Sequence, residues 1–259
     1  MAKTTEGTLH THKRIFDIIK GPKRMLMPIA GFEDMPPVTL EEAVVPLVDQ
    51  LPRIQTYVHV AKSRYDPQSS DGLTVDQAAS IILYTMEWEP QNQCLYVVLN
   101  TALRTEDRRK LKPWFSYLKL MLTALSKLPS TSRRVYRGVK KDLSGEYTKG
   151  EQLIWWAFSS CTLSVETLEN EQFLGKTGVR TLFSIECTSG KDISPYSYFA
   201  AEEEILLPPA RQFRVVACLQ LGTDLHMIQL KEIDSPFISL PSLSQTASAG
   251  KNHTTDVFK

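Results

Sequence analysis

Three short stretches of this chain hold side chains able to do chemistry together. In Val135-Tyr136-Arg137-Gly138-Val139 a basic residue sits inside an otherwise apolar, aromatic run. Burying its guanidinium costs free energy unless the head group meets an anion or a carboxylate, and the neighbouring Gly138 lets a ligand approach the backbone. The plainer reading is an edge-strand arginine whose head reaches solvent, and for an isolated arginine it is the favoured one. In Trp155-Trp156-Ala157-Phe158-Ser159-Ser160-Cys161-Thr162, aromatic residues give way to hydroxyl-bearing ones, as where a buried strand opens into a cleft. The same pattern also describes a strand end whose Ser and Thr cap the next turn. In Glu202-Glu203-Glu204, strand alternation would set Glu202 and Glu204 on one face, about 7 Å apart, and turn Glu203 away. Such a pair can stabilise a developing cation and take up a proton; for three glutamates alone, a solvated cluster blunting a sheet edge is the simpler account.

The rest of the chain supplies elements to hold these stretches. Before Pro129 the pattern is helical. Thr39 with Glu42, and Thr74 with Gln77, form two capping boxes that mark helix starts. Pro46 and Pro52 interrupt the pattern over 39–65 and predict kinked or separate short helices. Another helix is expected over 91–104. Apolar residues at 111, 114, 115, 118, 121, 122, 125 and 128 predict one amphipathic helix from Leu111 to Leu128. After Pro129, strands are expected at Arg134–Val139, Gln152–Phe158, Arg180–Glu186, Glu204–Leu207, Gln212–Leu221 and Leu225–Ile233, with a short helix near 164–174. Helices followed by a block of strands read as an α+β fold. The expected layout is a loose arm over 1–20, one domain over 21–234 (helical part 39–128, β core 133–233) and a mobile tail over 235–259.

Composition narrows the function classes. The chain has 259 residues with 42% hydrophobic and 23% charged, an ordinary globular balance that excludes wholesale disorder. Thirty basic and 29 acidic residues give a net charge of +1, no footprint for nucleic acid or a membrane surface. Cys94, Cys161, Cys187 and Cys218 show no CxxC pair, so reduced thiols are the default with one or two disulfides as the alternative, and no metal site is expected. The N-terminus lacks the apolar core of a secretory signal, and no apolar run is long enough to span a membrane. The expectation is therefore a soluble, cytoplasmic monomer, or a secreted protein if a signal has been removed. There is no GxG, no GxxxxGK[ST], no GxSxG and no HExxH, and the five histidines are scattered. Any chemistry rests on carboxylates, arginine and hydroxyls.

Taken in order, Arg137, then Phe158-Ser159-Ser160-Cys161-Thr162, then Glu202-Glu203-Glu204-Ile205-Leu206-Leu207-Pro208-Pro209 resemble the R-S-E motif of the arginine-specific mono-ADP-ribosyltransferases. The resemblance extends to Leu99-Asn100-Thr101-Ala102-Leu103-Arg104, to Leu118 through Pro129, to Leu182-Phe183-Ser184-Ile185 and to Gln212-Phe213-Arg214-Val215, covering about 75–233. It implies a β core of two roughly perpendicular sheets with NAD, the co-substrate, extended between them.

The resemblance also implies roles. Arg137 would contact the phosphate and ribose side of the nucleotide, and the Gly138 backbone would bond the nicotinamide carboxamide. Ser160 would hold the catalytic glutamate and the nicotinamide ribose; the S-T-S-type motif here reads Ser160-Cys161-Thr162, with cysteine for the middle threonine. Glu204 would bond the ribose 2′-hydroxyl and stabilise an oxocarbenium-like transition state, as carboxylates do in glycoside hydrolysis. Glu202 would orient and deprotonate the guanidinium of an arginine-bearing protein acceptor. Phe173 would stack on nicotinamide with Phe183 behind it, and Tyr196, Tyr198 and Phe199 would sit on the substrate-recognition loop. The competing readings are an NAD glycohydrolase with water as acceptor and a non-catalytic module that binds NAD or a protein partner.

Overall fold

The computed structural model describes residues 25–66, 72–169, 174–199 and 203–234. The arm expected over 1–20 and the tail expected over 235–259 lie outside them.

The helical half starts where its side chains cap it. The Thr39 hydroxyl accepts from the Glu42 amide, and the Glu42 carboxylate accepts from the Thr39 amide at 2.9 Å, opening α1 (Leu40–Val44). The prolines then separate short helices: a 3-10 turn at Val45–Leu47 contains Pro46, and α2 (Ile54–Ser63) begins only after Pro52. Thr74 and Gln77 repeat the reciprocal cap ahead of α3 (Val75–Thr85). Each box satisfies amides that a first helical turn leaves without partners. α4 runs over Leu95–Arg104. The single helix expected from Leu111 is shorter: Arg108–Trp114 is a 3-10 helix containing Pro113, and α5 is Phe115–Lys127. Pro113 has no amide to give an α-helical ladder, so the tighter turn precedes it. Tyr84, Leu99, Trp114, Tyr117, Leu118, Met121 and Leu125 bury one helical core. Among the described residues no helix is long and apolar enough to cross a membrane.

A charged staple joins three of these helices. Lys62 Nζ lies 2.9 Å from both Glu41 Oε2 and Asp76 Oδ1, and Asp76 Oδ1 also accepts from the Leu40 amide. Burial pushes the Asp76 carboxyl upward, but the bonds from Leu40 and Lys62 outweigh it and hold it below its ordinary value. A carboxylate depressed in this way stabilises the fold above its unfolded pKa, and that stability is lost as the pH falls through the folded value. Asp76→Asn is therefore expected to lower stability at neutral pH by about 1 kcal/mol, or roughly 2–4 °C in Tm. The gap should close below about pH 4; a gap that stays constant through acid melting curves would refute this account of Asp76.

The strands are β1 (Ser130–Val139), β2 (Gln152–Trp155), β3 (Ser159–Thr162), β4 (Arg180–Asp192), β5 (Glu204–Leu207), β6 (Arg211–Gln220) and β7 (Leu225–Ile233), with a four-residue helix α6 (Val165–Leu168) after β3. Three strands differ from expectation by more than a residue; β1 begins at Ser130, four residues before the expected Arg134. The run expected over Gln152–Phe158 stops at Trp155. Leu153 and Trp155 pack on the sheet core, whereas Trp156, Ala157 and Phe158 belong to the helical core. The chain has to cross between cores there, and Ser159 begins a new strand. β4 continues six residues past Glu186 through Cys187, Thr188, Ser189 and Gly190. The buried Glu232 carboxylate supports that extension by accepting from the Thr188 and Ser189 amides at 2.6 and 3.0 Å.

Hydrogen bonding runs through seven strands in the order β1-β3-β5-β4-β7-β6-β2, and β1 also pairs with β4. The two expected sheets thus share strands. One comprises β1, β4, β7, β6 and β2. The other comprises β1, β3, β5 and the far end of β4. Following β1 to β3 to β5 to β4 and back to β1 closes a ring. Gly190 permits that closure, since a Cβ there would lie 2.9 Å from Ile205 Cγ2.

Candidate active site

Strands β1, β3 and β5 of the ring bring the sequence candidates together. Arg137 is 2% exposed, and its Nη1 donates to the Ser160 carbonyl at 2.7 Å. The β1–β3 ladder consists of a single pair, Tyr136 with Thr162. The guanidinium therefore does, beside that pair, what a backbone amide would do in a longer ladder. This answers the alternatives left open for Arg137: its head is buried and bonded, not at an edge in solvent.

Across β3 and β5, Thr162 is opposite Glu204 and Ser160 opposite Leu206. Side chains two apart share a face and diagonal neighbours come within reach, so Ser160, Thr162 and Glu204 lie on one face. Leu206, on that face, packs into the helical core; Cys161, Ile205 and Leu207, on the other, pack into the sheet core. The triad of side chains thus looks toward the helical half. Ser160 and Glu204 are each 1% exposed. Among the described residues the Ser160 hydroxyl has no hydrogen-bond partner, which for a buried hydroxyl costs free energy unless a ligand supplies one. Cys161, facing the sheet core, is a poor nucleophile: burial pushes its thiol up to about 12, against a smaller downward pull from Arg137. None of the four cysteines is in a disulfide.

Other expectations change. β5 begins at Glu204, and Glu203 before it has φ +46°. The two-residue alternation used to pair Glu202 with Glu204 therefore does not describe this backbone; Glu202 itself lies outside the described residues, as does Phe173. Phe183 is the described member of the aromatic pair expected with Phe173. It is fully buried in the sheet core with its ring edge-on to Tyr147 and Trp155. Strand alternation gives the opposite face to Leu182, which clusters with Leu168 and Leu174. Tyr196 is buried in the helical core, whereas Tyr198 and Phe199 are half-buried.

Three contacts of the site have no signature in the sequence. Tyr147 reaches the site's surroundings from the β1–β2 connection; its hydroxyl accepts from Trp155 Nε1 at 3.3 Å, and burial raises it to about 12 so that it stays protonated. Arg108 places its guanidinium carbon 4.8 Å from the Trp156 ring centroid and donates to the Leu103 and Met27 carbonyls at 2.8 and 2.9 Å. It thereby fixes the segment leading into β3. Leu174 covers Gly138: a Cβ on that glycine would fall 2.7 Å from Leu174 Cβ and 3.3 Å from its Cα. Gly138→Ala is expected to lose about 1–3 kcal/mol by overpacking, and with Leu174→Gly, which removes the clashing Cβ, the double variant should lose less than the sum of the two single losses. Equal melting temperatures for wild type and Gly138→Ala would contradict the contact.

The sequence profile of the NAD:arginine ADP-ribosyltransferases matches residues 50–236, most of the chain. The chain belongs to this family. Among curated relatives, the erythroblast NAD(P)(+)–arginine ADP-ribosyltransferase of Gallus gallus is 32% identical over 148 residues, 55% of this chain and 47% of that protein. The GPI-linked NAD(P)(+)–arginine ADP-ribosyltransferase 1 of Mus musculus is 28% identical over 159 residues, 58% of this chain and 46% of that protein. The matched region thus spans about half the length of these relatives. Among solved structures, the eukaryotic mono-ADP-ribosyltransferase ART2.2 has a TM-score of 0.55 at 22% identity, covering 76% of this chain and 88% of that one. The Vis ADP-ribosyltransferase in complex with agmatine has a TM-score of 0.50 at 19% identity, covering 78% and 90%. These likenesses show the ADP-ribosyltransferase fold, with N-terminal helices and a β-rich core.

Proposed function

We propose that this ADP-ribosyltransferase transfers ADP-ribose from NAD to arginine side chains of acceptor proteins and releases nicotinamide. The observation that carries the reading is the buried Ser160 hydroxyl, without a partner among the described residues, on the face that carries Glu204 and on the residue whose carbonyl accepts from Arg137. Those groups suit the co-substrate: a buried cation for its phosphates, a hydroxyl in need of a bond for its ribose, and a carboxylate for positive charge at its anomeric carbon. An ART2.2 mutant has been solved with NAD and the Vis enzyme with agmatine, a small guanidine. Both fit the proposed co-substrate and acceptor class.

In this reading Arg137 holds the phosphate side and Gly138 offers its backbone to the carboxamide. Glu204, on the same face as Ser160, accepts a bond from the ribose 2′-hydroxyl and stabilises the oxocarbenium-like transition state as the glycosidic bond breaks, while the Ser160 hydroxyl bonds the ribose. Phe173 stacks on the nicotinamide ring. Glu202 orients the acceptor guanidinium and takes its proton as the new C–N bond forms, because a group with a pKa above about 12 will not lose that proton beforehand. Incubation with NAD, with and without agmatine, tests the proposal. ADP-ribosyl-agmatine with nicotinamide in equal amounts is expected. Nicotinamide with free ADP-ribose and no adduct would assign water as the acceptor instead.

A further inference from the structure

The segment joining β4 to β5 leads directly into Glu202 and Glu204, and one residue of it, Tyr198, is held from two sides by the helical half. On one side the guanidinium carbon of Arg64, the residue that ends α2, lies 3.7 Å from the centroid of the Tyr198 ring. Arg64 Nη1 also donates to the Tyr198 carbonyl at 3.3 Å. On the other side the Tyr198 amide donates at 2.8 Å to the hydroxyl of Thr85, the last residue of α3, which in turn donates to the Ile82 carbonyl. Ring, carbonyl and amide of a single loop residue are all engaged. Among the described residues no carboxylate pairs with Arg64, so its charge is not neutralised by a salt bridge that would compete with the ring. Next to it, Tyr65 brings its ring 6.4 Å from that of Tyr196, and Phe199 stands edge-on to Tyr198 at 5.0 Å.

We infer that Arg64 is a positioning residue for the acceptor side of the site: it presets the 196–199 segment so that acceptor binding need not order it. The inference rests on the transferase reading above. A planar guanidinium suits the task because it can stack on an aromatic face and donate in its own plane at the same time. Ordering a loop of several residues in advance removes an entropic term from binding without altering the bond-breaking groups. Arg64 touches neither Arg137, Ser160 nor Glu204 in any hydrogen bond or ion pair, so its effect should fall on acceptor affinity and not on cleavage of NAD.

The test compares Arg64→Ala and Arg64→Lys with the full chain. With agmatine as acceptor, Arg64→Ala is expected to raise the agmatine KM about five- to tenfold. Nicotinamide release from NAD without agmatine should stay within twofold and the melting temperature should stay unchanged. Arg64→Lys, which keeps a cation for the ring but loses the fork, should recover part of the KM. Hydrogen exchange gives a readout independent of turnover: the Tyr198 amide should exchange about tenfold faster in Arg64→Ala. An unchanged agmatine KM, an equal loss of hydrolysis and transfer, or an unchanged Tyr198 exchange rate would each overturn the inference. If the wild type does not modify agmatine at all, the transferase reading fails, and the exchange rate alone decides whether Arg64 sets the loop.

Discussion

Glu204→Gln is expected to reduce nicotinamide release and transfer to agmatine together, by about a thousandfold, while the protein melts as the wild type does. Removing a single group aimed at charge developing in a buried site commonly costs two to three orders of magnitude in kcat. The amide keeps the shape of the side chain, which matters at a position 1% exposed and flanked by Ile205 and Leu206 in two different cores. It withdraws the carboxylate charge and turns one acceptor oxygen into a donor amide. Glu204→Ala should be as inactive but less stable, because it also leaves a void. The decisive comparison is single-turnover nicotinamide release alongside a melting curve. Retention of more than a tenth of wild-type release by Glu204→Gln would remove Glu204 from the role proposed for it.

Glu202→Gln is expected to behave differently. Transfer to agmatine should fall about a hundredfold, in line with the loss of a general base, while nicotinamide release in the absence of agmatine stays within a few-fold of wild type. NAD cleavage in the proposed mechanism draws on one carboxylate, whereas transfer draws on two. The product ratio is the informative quantity: free ADP-ribose should replace ADP-ribosyl-agmatine as the main product. If Glu202→Gln modified agmatine at the full rate, the base would have to be sought elsewhere.

What the sequence disclosed follows from the range of the interactions involved. The capping boxes at Thr39 and Thr74 reach three residues and appear in the structure with their reciprocal bonds. β5 and β7 keep their expected ends because apolar runs between turn residues define them. Arg137, Ser160 and Glu204 are weak signals one by one and are picked out by their order along the chain; the structure sets them on β1, β3 and β5 of one ring. The rest depends on partners remote in the chain. Nothing near Glu203 signals its φ of +46°, a conformation that glutamate seldom adopts. Leu174 over Gly138 joins positions 36 residues apart, and Arg64 on Tyr198 joins positions 134 residues apart; no spacing rule reaches so far. β4 outran its expected end because Thr188, Ser189 and Gly190 read as a turn until Glu232 is seen to hold them.

The closure of β1, β3, β5 and β4 on one another has a mechanical meaning. Arg137, Ser160 and Glu204 are mounted on a hoop, and a hoop has no hinge. Opening it at any seam breaks backbone bonds on both flanks, so the spacing of the three groups resists slow breathing and should be lost only when the whole domain melts. Molecules must come and go past the connections between strands, and those connections can change in length or composition without retuning the hoop. A fold with this division of labour can acquire new acceptors by altering its rim while the groups proposed to break the bond keep their places.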